Sequence, residues 1–113
     1  MPLDLRSLGT AITPEMVGGT IAAFAKLHSR ELPRGVSITR DVRYGTDDRH
    51  RLDLFMPEHK VPDDRPVLLF VHGGGFVRGD KRAPDTPFYD NVGLLGARKE
   101  MIGWTMAYRL APY

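Results

Sequence analysis

Five consecutive apolar residues, Val67-Leu68-Leu69-Phe70-Val71, constrain the fold of this chain more than any other feature. Pro66 precedes them, and His72 and three glycines follow. A short apolar run between turn-forming residues is typical of a strand buried on both faces of a parallel sheet. The run therefore predicts an α/β fold whose sheet is covered by helices.

The residues before this strand predict an antiparallel hairpin. Val36 to Tyr44 and Arg51 to Met56 alternate loosely between apolar and polar side chains, and Gly45 to Asp48 supply turn formers between them. Pro57 to Pro66 is rich in proline and charge, which predicts a solvated loop.

The residues after the strand predict a helix and then another strand. Phe88 to Glu100 places Val92 and Leu95 at helical spacing, with Phe88 and Leu94 beside them. Met101 to Tyr108 predicts a second buried strand. Strand, glycine loop, helix and strand then form one right-handed crossover unit.

A separate helix is predicted near the N-terminus. Thr13-Pro14-Glu15 combines a hydroxyl N-cap, a proline at the first helical position and an acid in the first turn. An apolar stripe then runs from Val17 to Leu27, and we expect the helix to end near Ser29. The chain is thereby divided into an N-terminal helical segment, residues 1–35, and an α/β domain, residues 36–113.

Composition excludes several classes of function. The 16 basic and 14 acidic residues are scattered, so nucleic acid is not an expected partner. Absence of cysteine excludes disulfides and Cys-based metal sites, and suggests a reducing compartment. We see neither a secretory signal nor a membrane-spanning run, and expect a soluble, cytoplasmic protein without membrane contact.

The segment His72-Gly73-Gly74-Gly75-Phe76, called here the oxyanion loop, carries the chemistry. Three glycines at the carboxyl end of a buried strand expose backbone N–H groups where open α/β sheets bind ligands. Fixed N–H donors about 2.7–3.1 Å from a developing oxyanion stabilise the tetrahedral state of acyl transfer. An isolated glycine cluster is more often a simple turn, so the context decides.

That context resembles a known family. The loop is followed by Gly79-Asp80-Lys81, by a helix and by Tyr108-Arg109-Leu110-Ala111-Pro112. Over residues 36–113 the chain is similar to the N-terminal part of α/β-hydrolases of the esterase and lipase kind, including hormone-sensitive-lipase-like esterases and related bacterial esterases and arylformamidases. The resemblance implies that Gly74 and Gly75 donate to the oxyanion, that His72 and Gly73 orient the loop, and that the substrate is a small ester or amide. No cofactor is implied.

The nucleophile of that family has no counterpart here. Its members carry a G-x-S-x-G elbow followed by an acid and a histidine, whereas Ser7, Ser29 and Ser37 lie in no such elbow. Metal binding is disfavoured as well, because the four histidines lack ligand spacing and the Asp47-Asp48 and Asp63-Asp64 pairs are typical turn acids.

Two hypotheses follow. In the first, the chain is the N-terminal portion of a serine carboxylester or amide hydrolase, supplies the oxyanion hole and is inactive alone. In the second, it is a truncated paralogue that acts as a non-catalytic binding or interaction module. Under both, the apolar strand Val67 to Val71 lacks a neighbour, so we expect a homo-oligomer or a complex with a complementary C-terminal chain.

Overall fold

The computed structural model describes residues 4–28 and 34–112, which belong to two compact units, Met1–Glu31 and Leu32–Tyr113. The first unit holds a short 3-10 helix, Arg6–Leu8, and helix α1, Pro14–Ala25. The Thr13 hydroxyl caps α1 by accepting a hydrogen bond from the Met16 amide at 3.1 Å, which confirms the predicted start.

The predicted end of α1 is wrong, since the helix stops at Ala25. The amides of Leu27 and His28 donate to the carbonyls three residues before them, which tightens the chain into turns. Ser29, where the end was expected, lies outside the described residues.

The second unit contains a four-stranded mixed sheet and one helix. In chain order they are β1 (Val36–Arg43), β2 (Arg51–Pro57), β3 (Val67–Val71), α2 (Asp90–Arg98) and β4 (Ile102–Met106). The strand order is β1-β2-β4-β3; β3 and β4 pair in parallel and the other pairs are antiparallel. The predicted hairpin and the predicted strand-helix-strand order are both confirmed.

The core lies where α2 covers one face of this sheet. Phe55 is fully buried at its centre, with Val36 and Ala97 buried beside it and Ile38 and Leu94 packed against them. Since side chains alternate along a strand, Asp53 points to the same face as Phe55, and it is fully buried as well.

Leu95, one of the apolar residues that predict α2, faces solvent rather than the sheet. Leu95 is 51% exposed, and the buried residues of the helix are Gly93, Gly96 and Ala97. A Cβ atom at Gly93 would overlap the Phe55 ring, and one at Gly103 of β4 would overlap the Gly93 carbonyl. The helix approaches the sheet so closely that glycine, rather than a large apolar side chain, occupies the contact.

Strand β3 is not buried on both faces among the described residues, contrary to prediction. Leu68 approaches Gly96, so this face of β3 is turned towards α2. The other face presents Val67, Leu69 and Val71, which are 45%, 47% and 52% exposed. The exposed residues lie on the face that α2 does not cover. Within the described residues, β3 also forms the edge of the sheet and pairs with β4 alone.

Candidate oxyanion site

The oxyanion loop leaves the sheet at the carboxyl end of β3. Because β3 and β4 are parallel, the segment that follows β4 leaves the sheet at the same end as the loop. The loop backbone is left-handed at Gly74, Gly75 and Phe76, with φ of 129°, 64° and 63°. Such angles favour glycine, so the sequence at Gly74 and Gly75 is dictated by the turn of the backbone.

The two central glycines are required for different reasons. A Cβ at Gly74 would overlap the Arg78 carbonyl, whereas space around Gly75 is open and only its positive φ disfavours a side chain. Neither Gly74 nor Gly75 donates its amide N–H to another residue within the described ranges. The loop thus presents two amides that are available to an external acceptor.

His72 lies beneath the loop and is 3% exposed. Its Nδ1 lies 2.7 Å from the Gly73 carbonyl oxygen, and its ring stacks on Tyr108 with centroids 4.3 Å apart and an interplanar angle of 10°. The Tyr108 hydroxyl donates to the His72 carbonyl at 2.8 Å. The His72 ring and the Gly73 carbonyl are therefore in direct contact.

The segment after β4 packs against the loop, which brings the two sequence motifs together. The Ala111 amide donates to the Phe76 carbonyl at 2.7 Å, and the Phe76 and Tyr108 rings lie 5.7 Å apart. Gly79 closes the loop with φ of 99°, and a Cβ there would collide with His72 and the Gly73 carbonyl.

A cluster of charged side chains is joined to the segment after the oxyanion loop through Lys81, and no local sequence motif indicates this cluster. The buried carboxylate of Asp53 accepts from Arg40 at 2.9 Å and from the Asp41 amide at 3.0 Å, and it pairs with Lys81 at 3.0 Å. Arg40 also pairs with Asp90, the first residue of α2, at 2.7 Å. In the sequence, this cluster is signalled by Asp53, an acidic residue at an inward-facing position of the largely apolar strand β2.

The pKa values in this cluster follow from its pairing. Burial lowers the pKa of Lys81, but hydrogen bonds to Asp41 and Asp53 outweigh burial and the net pKa is raised. The pKa of Asp41 is lowered because its carboxylate accepts a hydrogen bond from Lys81. The hydrogen bonds to Asp90 raise the pKa of Arg40 despite its partial burial. All three groups are thus charged over a wide pH range.

Of the remaining candidates in the second unit, neither Ser37 nor His59 has a hydrogen bond or ion pair to the oxyanion loop. Ser37 lies on β1 and Ser7 in the first unit, while Ser29 falls outside the described residues. His59 pairs with Glu100 at the surface, at 3.4 Å. Within residues 4–28 and 34–112, no group of histidine and acidic side chains is arranged to hold a metal ion. In the same ranges, neither helix is long and apolar enough to cross a membrane.

The chain is similar in sequence and in structure to known esterases and lipases. Bile salt-activated lipase of Homo sapiens is 30% identical over 81 residues, which are 67% of this chain and 11% of that protein. Probable carboxylesterase 8 of Arabidopsis thaliana is 28% identical over 75 residues, 66% of this chain and 22% of that protein. A bacterial heroin esterase matches with TM-score 0.53 and 28% identity, covering 99% of this chain and 33% of that one. This chain has the α/β-hydrolase fold of esterases and lipases.

Within this α/β-hydrolase family, the match is to the N-terminal region of the fold. Esterase B of Lactobacillus rhamnosis, crystallised with a C6-C4 inhibitor, gives a TM-score of 0.58 at 25% identity and covers 85% of this chain and 31% of that one. No family model matches the chain. The chain spans about a third of the solved esterases and less than a quarter of these two curated relatives.

Proposed function

We propose that this chain supplies the oxyanion hole of a serine carboxylester or amide hydrolase, with the amides of Gly74 and Gly75 as donors. The observation that carries the proposal is the pair of left-handed glycines whose N–H groups find no acceptor among the described residues. Donors held in this way need no reorganisation when negative charge develops on a substrate carbonyl oxygen. The named relatives and structural neighbours are esterases and lipases, which supports this chemistry.

The nucleophile comes from elsewhere in this proposal. A G-x-S-x-G elbow with its acid and histidine would be supplied by further sequence or by a complementary chain, and a small ester or amide would bind between the two parts. The oxyanion donors act on the carbonyl, so they serve ester and amide substrates alike. The cysteine-free sequence favours the cytoplasm as the compartment.

The open edge of β3 supports a partner on that side. Among the described residues, the backbone groups of β3 pair with β4 alone, and the exposed face of the strand is apolar. We propose that a second copy of the chain, or a complementary chain that carries the nucleophile, pairs with this edge. A truncated paralogue that acts only as an interaction module would use the same edge without catalysis.

One experiment separates these functions. The chain alone should hydrolyse no short p-nitrophenyl ester and should take up no fluorophosphonate, because both reactions need an activated serine. In an active form, obtained with the sequence encoded beyond Tyr113 or with a complementing chain, Gly75→Val should lower kcat by about 10²–10³ and change KM less. His59→Ala, at the surface, is the matched control. Equal losses from both variants would contradict the assignment, and failure to find any active form would favour the interaction module.

A further inference from the structure

Arg49 lies in the turn between β1 and β2 and reaches the base of the oxyanion loop. Its Nε donates to the Tyr108 carbonyl at 3.0 Å, and its Nη2 donates to the Gly79 carbonyl at 2.7 Å. The same Nη2 lies 3.4 Å from Nε2 of His72. We propose that Arg49 is a positioning residue that fixes the oxyanion loop by bridging these three groups, an inference that rests on the proposed function of the loop.

The guanidinium group suits this bridge. Tyr108 follows β4 and Gly79 follows the oxyanion loop, so the two accepting carbonyls belong to separate segments of the chain. A planar guanidinium offers five N–H donors at fixed angles and stays charged, whereas the ammonium of lysine is a single point on a flexible stem. Arginine can therefore hold both carbonyls in one geometry.

The turn holds Arg49 itself in place. The Arg49 amide donates to the Asp47 carboxylate at 2.9 Å, and the His50 amide donates to the Asp47 carbonyl at 2.9 Å. The Asp47 amide in turn donates to Nδ1 of His50 at 3.1 Å. Asp47, predicted as a turn acid, thus fixes the backbone from which Arg49 extends.

Arg49 also selects the tautomer of His72. The Gly73 carbonyl can only accept, so the His72 nitrogen beside it, Nδ1, carries the proton. In the neutral ring, Nε2 is then an acceptor, and it faces a donor nitrogen of Arg49. The guanidinium favours the one form of the ring that can hold the Gly73 carbonyl.

This contact sets the direction of an oxyanion donor. The Gly73 carbonyl and the Gly74 N–H belong to the same planar peptide unit and point in opposite directions. When His72 holds the carbonyl, the Gly74 N–H is directed away from the histidine. The path from Arg49 through His72 to the Gly73–Gly74 peptide therefore connects the hairpin turn to the amide that we assign to catalysis.

The test compares Arg49→Ala and Arg49→Lys with Arg43→Ala, a control on the same hairpin whose side chain binds only the Thr46 and Asp47 carbonyls and pairs with Asp48. Nitrogen NMR of the His72 ring reports its tautomer, and the amide resonances of Gly74 and Gly75 report the loop. We expect the unmodified chain and Arg43→Ala to show the Nδ1–H form alone. Both Arg49 variants should show mixed tautomers and shifted Gly74 resonances, and the lysine variant guards against simple failure to fold.

An unchanged His72 tautomer and unchanged Gly74 resonances in folded Arg49→Lys would overturn the proposal. The NMR readout needs no activity, so it stands apart from the proposed function. In an active form, Arg49→Lys should lower kcat by about 10²-fold with little change in KM, since small displacements of catalytic groups cost that much. An altered tautomer with an unchanged kcat would retain the bridge but contradict the oxyanion role of the loop.

Discussion

The two edges of the sheet are built in opposite ways. The β1 edge carries Arg40, Asp41 and Arg43, and its pairing with β2 is interrupted by a bulge between Thr39 and Val42. The β3 edge is five apolar residues in regular register with β4. Charges and bulges are the devices by which natural sheets prevent further strand pairing. The β1 edge therefore carries features that oppose further strand pairing, and the five residues of β3 do not carry them.

The bulge in β1 is stabilised by a buried side chain of β2. Asp41 has a left-handed φ of 56°, and its amide donates to the buried carboxylate of Asp53. Lys81, from the segment after the oxyanion loop, reaches the same carboxylate. The closed edge of the sheet, at β1, and the segment that follows the oxyanion loop are thus tied to one buried acid.

The largest expected effect is at the closed edge. Asp53→Ala leaves Arg40 and Lys81 without their shared buried partner, and breaking a buried ion pair on one side costs about 3–5 kcal/mol. Urea denaturation should show this loss in the free energy of unfolding. Asp48→Ala, whose side chain is 95% exposed, is the control and should change stability by less than about 0.5 kcal/mol. A loss below about 1 kcal/mol for Asp53→Ala would mean that the bulge does not depend on this acid.

The second effect is at the open edge. We expect the chain to sediment as a dimer or larger species at micromolar concentration, because pairing through β3 satisfies its free backbone groups. Leu69→Lys should raise the dissociation constant at least about tenfold, which corresponds to 1.4 kcal/mol. Val42→Lys at the β1 edge should leave association unchanged. A compact monomer that melts cooperatively and binds no hydrophobic dye would refute the comparison of the two edges.

The smallest effect concerns alkaline pH. The pKa of Lys81 is raised above its ordinary 10.5, so its contribution to folding is complete below that pH and is lost as the pH rises through the raised value. Lys81→Met should therefore flatten the fall in unfolding free energy between pH 9 and 11.5, measured by urea titration at each pH.

Burial raises the pKa of Tyr44, so the stability that its neutral hydroxyl contributes is also lost as the pH rises. The experiment therefore needs a control variant at Tyr44. Tyr44→Phe should leave the Lys81 part of the alkaline loss in place. The pKa of Asp41 is lowered, so its share of the pairing is present above its ordinary 3.8 and disappears as the pH falls through the lowered value. An unchanged alkaline profile in Lys81→Met would show that Lys81 does not stabilise the closed edge.

Local patterns predicted much of the fold. Alternation gave the hairpin, the apolar runs gave β3 and β4, and Thr13-Pro14 gave the start of α1. The packing face of α2 could not be predicted, because apolar periodicity identifies Val92 and Leu95 while the sheet selects the face with the smallest residues. The spacing of apolar residues along a sequence can predict a helix, but it contains no information on how closely that helix approaches a neighbouring sheet.

The candidate site was predictable only in part. The glycines of the oxyanion loop stand next to one another in the sequence, and a local motif was enough to identify them. Arg49 lies 30 residues before Gly79 and Tyr108 follows β4, yet the two side chains reach the loop from opposite directions along the chain. Asp53 of β2 likewise pairs with Lys81 of the segment after the loop. Contacts of this kind depend on strand order and register, which no single segment specifies.

The glycine contact between α2 and β4 has a consequence for anyone who redesigns this protein. Gly93 and Gly103 meet backbone to backbone, so their contact buries little apolar surface and instead sets the spacing of helix and sheet. An alanine at Gly103 would overlap the Gly93 backbone and push β4 away from α2, whereas an alanine at Gly93 would overlap the Phe55 ring of β2. The end of β4 leads directly to Tyr108, whose ring stacks on His72. Variant libraries that aim to keep the fold intact should hold these two positions constant and direct their diversity to the outer surface of α2, where Leu95 already faces solvent.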